Sequence, residues 1–179
     1  MDDSVRAVED RFIQHWGDMA TLWGLSAAMG RIHGLLYITG RAMTAEEIMA
    51  RLQISRGGVS MALRALLGWG TVRRHYLPGQ RKQHFVAEQD PWTWFKRVIA
   101  ERRRREADPI VDAIDDCLDL AQQAPADDAD LAATRERLER LVEFVRLFGR
   151  AIDLFLALDR EAIVDVLSGI GAPGPTRSK

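Results

Sequence analysis

The sequence predicts a mainly α chain: a winged helix-turn-helix with a small β-hairpin wing, plus N- and C-terminal helices suited to dimerisation. Three observations predict it. Two short amphipathic stretches, starting at Thr44 and Ser55, flank the tight break Gln53-Ile54-Ser55. A β-branched and basic run, Thr71 to Leu77, meets the turn dipeptide Pro78-Gly79 and a returning run, Gln83 to Ala87. The two ends of the chain carry apolar stripes at spacings of three and four.

From the N-terminus, Val5, Val8, Phe12, Ile13 and Trp16 predict a helix from Ser4 to about Leu22. Ser26 caps a second helix, ended by Gly40, with Met29, Ile32, Leu35 and Leu36 turned inward. Thr44 caps a third. Glu46 and Glu47 place acid in its first turn, where the helix dipole favours it, and Ile48 and Leu52 form its inner face. Ser55 caps a fourth helix with Val59, Leu63, Leu66 and Leu67 on one side, stopped by Gly70. Its other side shows Arg56, Gly57, Ser60, Met61 and Arg64. Gly57 and Gly58 each cost roughly 1 kcal/mol against Ala in a helix, which predicts a close approach of the helix start to a large partner such as a phosphate backbone.

Beyond the hairpin, Asp90-Pro91 starts a helix with Trp92, Phe95, Val98 and Ile99 on its apolar side. It runs into Arg102 to Arg105, a solvated surface or a phosphate contact, and is expected to break or kink at Asp108-Pro109. Ile110, Ile114, Leu118 and Ala121 predict a further helix, and residues 124–128 a linker. Leu131, Leu138, Leu141, Val142, Val145, Phe148, Ile152 and Phe155 then predict one helix to about Leu167, about ten turns long. Such a stripe favours packing on a second chain. The expected division is residues 1–23 as an N-terminal helix joining the dimerisation region and 24–90 as the winged helix-turn-helix. Residues 91–168 form a helical dimerisation and possible effector region, and 169–179 a disordered tail.

Net charge is −1, which excludes a uniformly basic polymer-binding protein; the distribution matters more. Bases crowd from Arg51 to Arg105 against only Glu88, Asp90 and Glu101, and acids dominate afterwards. A second helix with small and basic residues at its start, beside a basic hairpin, suits DNA. The candidate DNA-binding residues are Ser55, Arg56, Gly57, Gly58, Ser60, Met61 and Arg64 on the helix, and Arg73, Arg74, Arg81 and Lys82 on the wing. Arg56, Ser60 and Arg64 are expected at base edges, the wing residues at phosphate or the minor groove.

Catalysis is not expected. His15, His33, His75 and His84 show no metal-ligand spacing, and no phosphate loop or nucleophile elbow occurs, so neither a metal nor a cofactor is expected. His75 and His84 can face each other across the hairpin, where phosphate or water is their expected contact. Cys117 is the single cysteine; a buried or inert thiol and a reducing, cytoplasmic setting follow. No run is apolar enough to cross a membrane, so no membrane partner is expected. Trp16, Trp23, Trp92, Trp94, Phe95, Phe144 and Phe148 form either core or an aromatic cage for a ligand cation.

The segment from Ser55 to Lys82, SRGGVSMALRALLGWGTVRRHYLPGQRK, with the lead-in WGLSAAMGRIHGLLYITGRAMTAEEI, resembles the GbsR/MarR-type transcriptional regulators. The likeness covers roughly Trp23 to Arg105 and departs from the family at Gly58, where a polar residue often stands. It implies a cytoplasmic homodimer that binds a palindromic double-stranded operator, acts as a repressor and responds to a small molecule, for example an osmolyte such as choline or glycine betaine. The competing readings are a winged helix that docks on a protein, and a ligand-binding helical bundle without DNA binding.

Overall fold

The computed structural model describes residues 3–79, 81–123 and 129–171. The chain divides into two compact units, Met1–Val98 and Ile99–Lys179.

The first unit opens with α1 (Asp3–Leu22) and α2 (Ala27–Thr39). The Ser26 hydroxyl accepts from Met29 N at 3.2 Å and caps α2; Gly40, at φ 61, ends it. The two helices cross in close contact. A Cβ on Gly30 would lie 2.8 Å from the Trp16 carbonyl oxygen and 2.5 Å from the Ala20 methyl, so only glycine fits there. The buried face of α1 is Glu9, Ile13, Gly17 and Ala20. Val5 and Val8, expected on the inner stripe, are 49% and 65% exposed, because the buried face lies around the helix from them.

Next come β1 (Met43–Thr44), α3 (Ala45–Leu52) and α4 (Arg56–Gly68), then β2 (Val72–His75) and β3 (His84–Ala87). Thr44 closes a capping box. Its hydroxyl accepts from Glu47 N at 3.2 Å, and the Glu47 carboxylate accepts from Thr44 N at 2.6 Å. The sheet has three antiparallel strands in the order β1-β3-β2, one more than the expected hairpin. Two residues are too few to show alternation, so β1 leaves no mark in the sequence. Ile32, Leu35 and Leu36 of α2, Ile48 of α3, Val59, Leu63 and Leu66 of α4, and Val72 and Phe85 of the sheet share one core.

Helix α5 (Pro91–Arg102) crosses the boundary between the units; Asp90 caps it, its carboxylate accepting from Thr93 N at 2.8 Å. The second unit continues through a π-helical turn, Arg103–Ala107, into α6 (Asp108–Gln123). Asp108-Pro109 therefore widens the helix without ending it. The looser turn stands where the proline ring would otherwise meet the carbonyl four residues back. Helix α7 (Ala129–Ala157) packs on α6, joined by Arg146, which donates to both Asp115 carboxylate oxygens at 2.8 and 2.6 Å. The single long helix expected to Leu167 is in fact two: α7 stops at Ala157 and α8 (Arg160–Gly171) begins afresh. Asp159 caps the new start, accepting from Ala162 N at 2.8 Å. Of the tail expected from Gly169, the first three residues belong to α8; residues 172–179 and the expected linker at 124–128 lie outside the described residues.

Candidate nucleic-acid interface

The face is built by local rules. Ser55 caps α4, its hydroxyl accepting from Gly58 N at 3.2 Å. That cap fixes where the helix begins. Val59, Ala62, Leu63 and Leu66 then turn into the core, while Arg56, Gly57, Ser60, Met61 and Arg64 are exposed. Positions 56, 60 and 64 are four apart and form one row. On the hairpin, His75 pairs with His84 and Arg74 with Phe85. Strand alternation sends Arg73 and Arg74 to opposite faces of β2.

The result is an open groove of about 550 Å³. Arg56, Ser60 and Arg64 of α4 form one wall, and Arg74 and Gln83 of the hairpin the other. Leu63, Leu67, Met49 and Phe85 supply its apolar lining, and Glu46 adds a carboxylate. Sequence reading missed Gln83 and Glu46 as parts of this site; their types carry no signal without the groove. Arg73 is exposed outside it, as are Arg81 and Lys82 on the wing loop. Lys82 Nζ stands 3.6 Å from Glu46 Oε2, an exposed pair worth at most about 1 kcal/mol.

The two glycines differ. A Cβ on Gly58 would come within 2.9 Å of Ile54 Cγ2, so its smallness serves the turn between the two helices. Gly58 thus has a reason within the chain to be glycine, separate from the room for a partner that the sequence suggested. A Cβ on Gly57 would meet nothing within 4 Å.

Several arginines of the basic stretch serve the scaffold. Arg51 bridges Asp10 at 2.5 Å and Glu9 at 3.5 Å. Arg97 donates to the Gly70 carbonyl at 2.5 Å and pairs with Glu88 at 3.0 Å. In the arginine run, Arg102 pairs with Glu106, Arg103 with Asp108 and Asp153, and Arg104 and Arg105 with Glu101. The Glu101 carboxyl is held below the usual carboxylate range, first by the hydrogen bond from Arg104. His84 is also not a phosphate ligand: it is 5% exposed, with Nδ1 3.0 Å from the Lys82 carbonyl oxygen.

A second feature lies behind α4. A cavity of about 40 Å³ is walled by Trp16, Trp23, Trp69, Trp94, Met19 and Met29, with His33 at its side. Trp16 Nε1 donates to His33 Nδ1 at 3.0 Å. Burial lowers the His33 pKa to about 4, so the ring is neutral and carries its proton on Nε2. That Nε2 is buried and has no hydrogen-bond partner. Of the aromatics grouped in the sequence, only Trp16, Trp23 and Trp94 line this cavity. Phe144 and Phe148 are 65% and 57% exposed on α7, in the other unit. Cys117, expected to be buried or inert, is exposed on α6.

No protein-family model matches the chain. Among curated proteins, it is 26% identical over 137 residues to the HTH-type transcriptional repressor GbsR of Bacillus subtilis (strain 168), covering 76% of each chain. It is 25% identical over 91 residues to the putative HTH-type transcriptional regulator YvaV of the same organism, covering 51% of each. It is also 22% identical over 98 residues to the HTH-type transcriptional repressor OpcR of that organism, covering 55% of this chain and 53% of the relative. A crystal structure described as that of a transcriptional regulator superposes with a TM-score of 0.63 at 21% identity, over 83% of this chain and 95% of that one. The chain thus has the winged-helix fold expected from its sequence, and its curated relatives are named as HTH-type transcriptional regulators and repressors, not enzymes.

Proposed function

We propose that this relative of the HTH-type regulators is itself a sequence-specific DNA-binding repressor, acting in the cytoplasm as a homodimer on a palindromic operator and responding to a small molecule. The observation that carries this reading is the groove in which Arg56, Ser60, Arg64 and Arg74 converge between α4 and the hairpin. Arginine supplies bidentate donors to guanine in the major groove, and basic groups on a wing neutralise phosphate. A two-fold dimer would set two such helices about one DNA turn apart, or a multiple of it.

Dimerisation is supported by α7, where Leu141, Phe144, Leu147 and Phe148 are 48%, 65%, 58% and 57% exposed. A small-molecule response would require the cavity beside His33 to widen, since about 40 Å³ holds little more than water. Its unpaired Nε2 proton calls for an acceptor, and Leu66 and Trp69 connect its wall to the end of α4.

The test is to select bound duplexes from a random pool, then titrate the chosen duplex at several salt concentrations. Arg56→Ala and Arg64→Ala should each weaken it by about 1–3 kcal/mol if they bond guanine. Wild-type affinity in both variants, or no salt-dependent retention of duplex by the wild type, would overturn the reading.

A further inference from the structure

The row Arg56, Ser60 and Arg64 accounts for hydrogen bonding at the groove, but not for its neighbour on the helix. Met61 is 72% exposed, a large apolar side chain beside Arg64 on the side of that row away from Ser60. Four residues before it, and so directly above it on the helix, stands Gly57. Gly58 has an internal steric reason to be glycine; Gly57 has none, since its Cβ position is open. Helix propensity alone would favour alanine there. A bare backbone and an exposed thioether thus lie side by side near the start of the helix.

We infer that Met61, beside the open backbone at Gly57, is a specificity residue that receives the 5-methyl group of a thymine. The inference rests on the DNA-binding reading above. Charge complementarity favours this occupant: Arg64, three residues on, stands beside Met61, and Arg56 immediately precedes Gly57, which suits a polyanion whose groove floor also offers apolar groups. In the major groove the thymine methyl is the apolar group of the base edges, and apolar side chains meet it. Methionine is flexible and polarizable, so it closes over a methyl without a preformed pocket. The absent side chain at Gly57 gives the base edge room to approach.

The experiment uses the full chain and the duplex selected from the random pool. Each thymine is replaced in turn by deoxyuracil, which removes only the methyl group. At one thymine per half-site, the replacement should weaken wild-type binding about fourfold, the worth of one buried methyl. Met61→Ala should bind the thymine and uracil duplexes equally. Gly57→Ala should keep or raise the melting temperature and yet weaken the same duplex, a pair of signs that a structural role would not give. Equal wild-type affinity for every uracil-substituted duplex would overturn the inference while leaving salt-dependent DNA binding intact. Unchanged methyl sensitivity in Met61→Ala would overturn it too. No duplex retention at all would instead remove the DNA-binding reading, and this inference with it.

Discussion

In the unit ending at Val98, Ile32, Leu35, Leu36 and Ile48 have no exposed surface, whereas in the unit from Ile99 onward Phe144 is 65% exposed and Leu154 61%. The two stretches do not differ greatly in how apolar their helices are. They differ in how many directions their elements come from. In the first unit α2 is covered by α1, α3, α4 and the sheet, so Ile32, Leu35 and Leu36 are enclosed on all sides, although Ile38 near its end remains exposed. In the second, α6 and α7 form a pair, and a pair of helices buries one face of each. Ile114, Val142 and Ile163 are the buried hydrophobics there among the described residues. A helix can therefore have its full apolar stripe and still lack a core. The first unit encloses its core; the second leaves apolar side chains such as Phe144 and Leu154 exposed.

The sharpest way to break this contrast is to empty the enclosed core. Leu35→Ala should cost about 2–5 kcal/mol, because the close-packed surroundings collapse only partly into the cavity. Urea unfolding measures it; a loss below about 1 kcal/mol would mean that the core is not tightly filled.

The next effect falls on the open unit. Phe144→Glu with Phe148→Glu should convert a dimer to a monomer in sedimentation, with the helical circular dichroism largely kept. Both side chains are exposed in the single chain, so the change removes little intrachain packing. A persisting dimer would mean that this face of α7 is not what a second copy covers.

The smallest effect lies at the capping box of the first unit. Thr44→Ala should cost about 1 kcal/mol in thermal or urea unfolding. The hydrogen bond from the Thr44 backbone N–H, then that from its hydroxyl, hold the Glu47 carboxyl below its ordinary value. A carboxylate with a lowered folded pKa adds stability above its unfolded pKa and loses it as pH falls through the folded value. The acid limb of the stability profile should therefore flatten in Glu47→Gln. An unaltered acid limb would show that the box contributes nothing through charge.

Much of this was legible because it is local. A serine or threonine before an amphipathic run caps a helix wherever that run ends up, and Ser26, Thr44 and Ser55 all do so. Pro78-Gly79 turns the chain, with Gly79 at φ +77, and the register that follows places His75 opposite His84 as the spacing implied. Less legible was the extent of the long C-terminal helix. Its stripe continues past Ala157, and only the cap at Asp159 marks a new start. The two-residue strand at Met43 was beyond reach, since its pairing with β3 is made by residues forty positions away.

The sequence by itself determined most of the helices, their caps, the hairpin and the charge of α4, because propensity, capping and periodicity act over a few residues. Tertiary structure alone decided which cations reach the groove. Arg51 and Arg97 look as available as Arg64 on paper, but carboxylates and a carbonyl brought from distant segments bind them. Arg73 and Arg74 are adjacent in the chain, and only the fold shows which side of the strand faces α4. Gly57 and Gly58 are likewise identical as letters. Ile54 packs against one and leaves the other bare, because contact at that range depends on how the turn between the helices is folded.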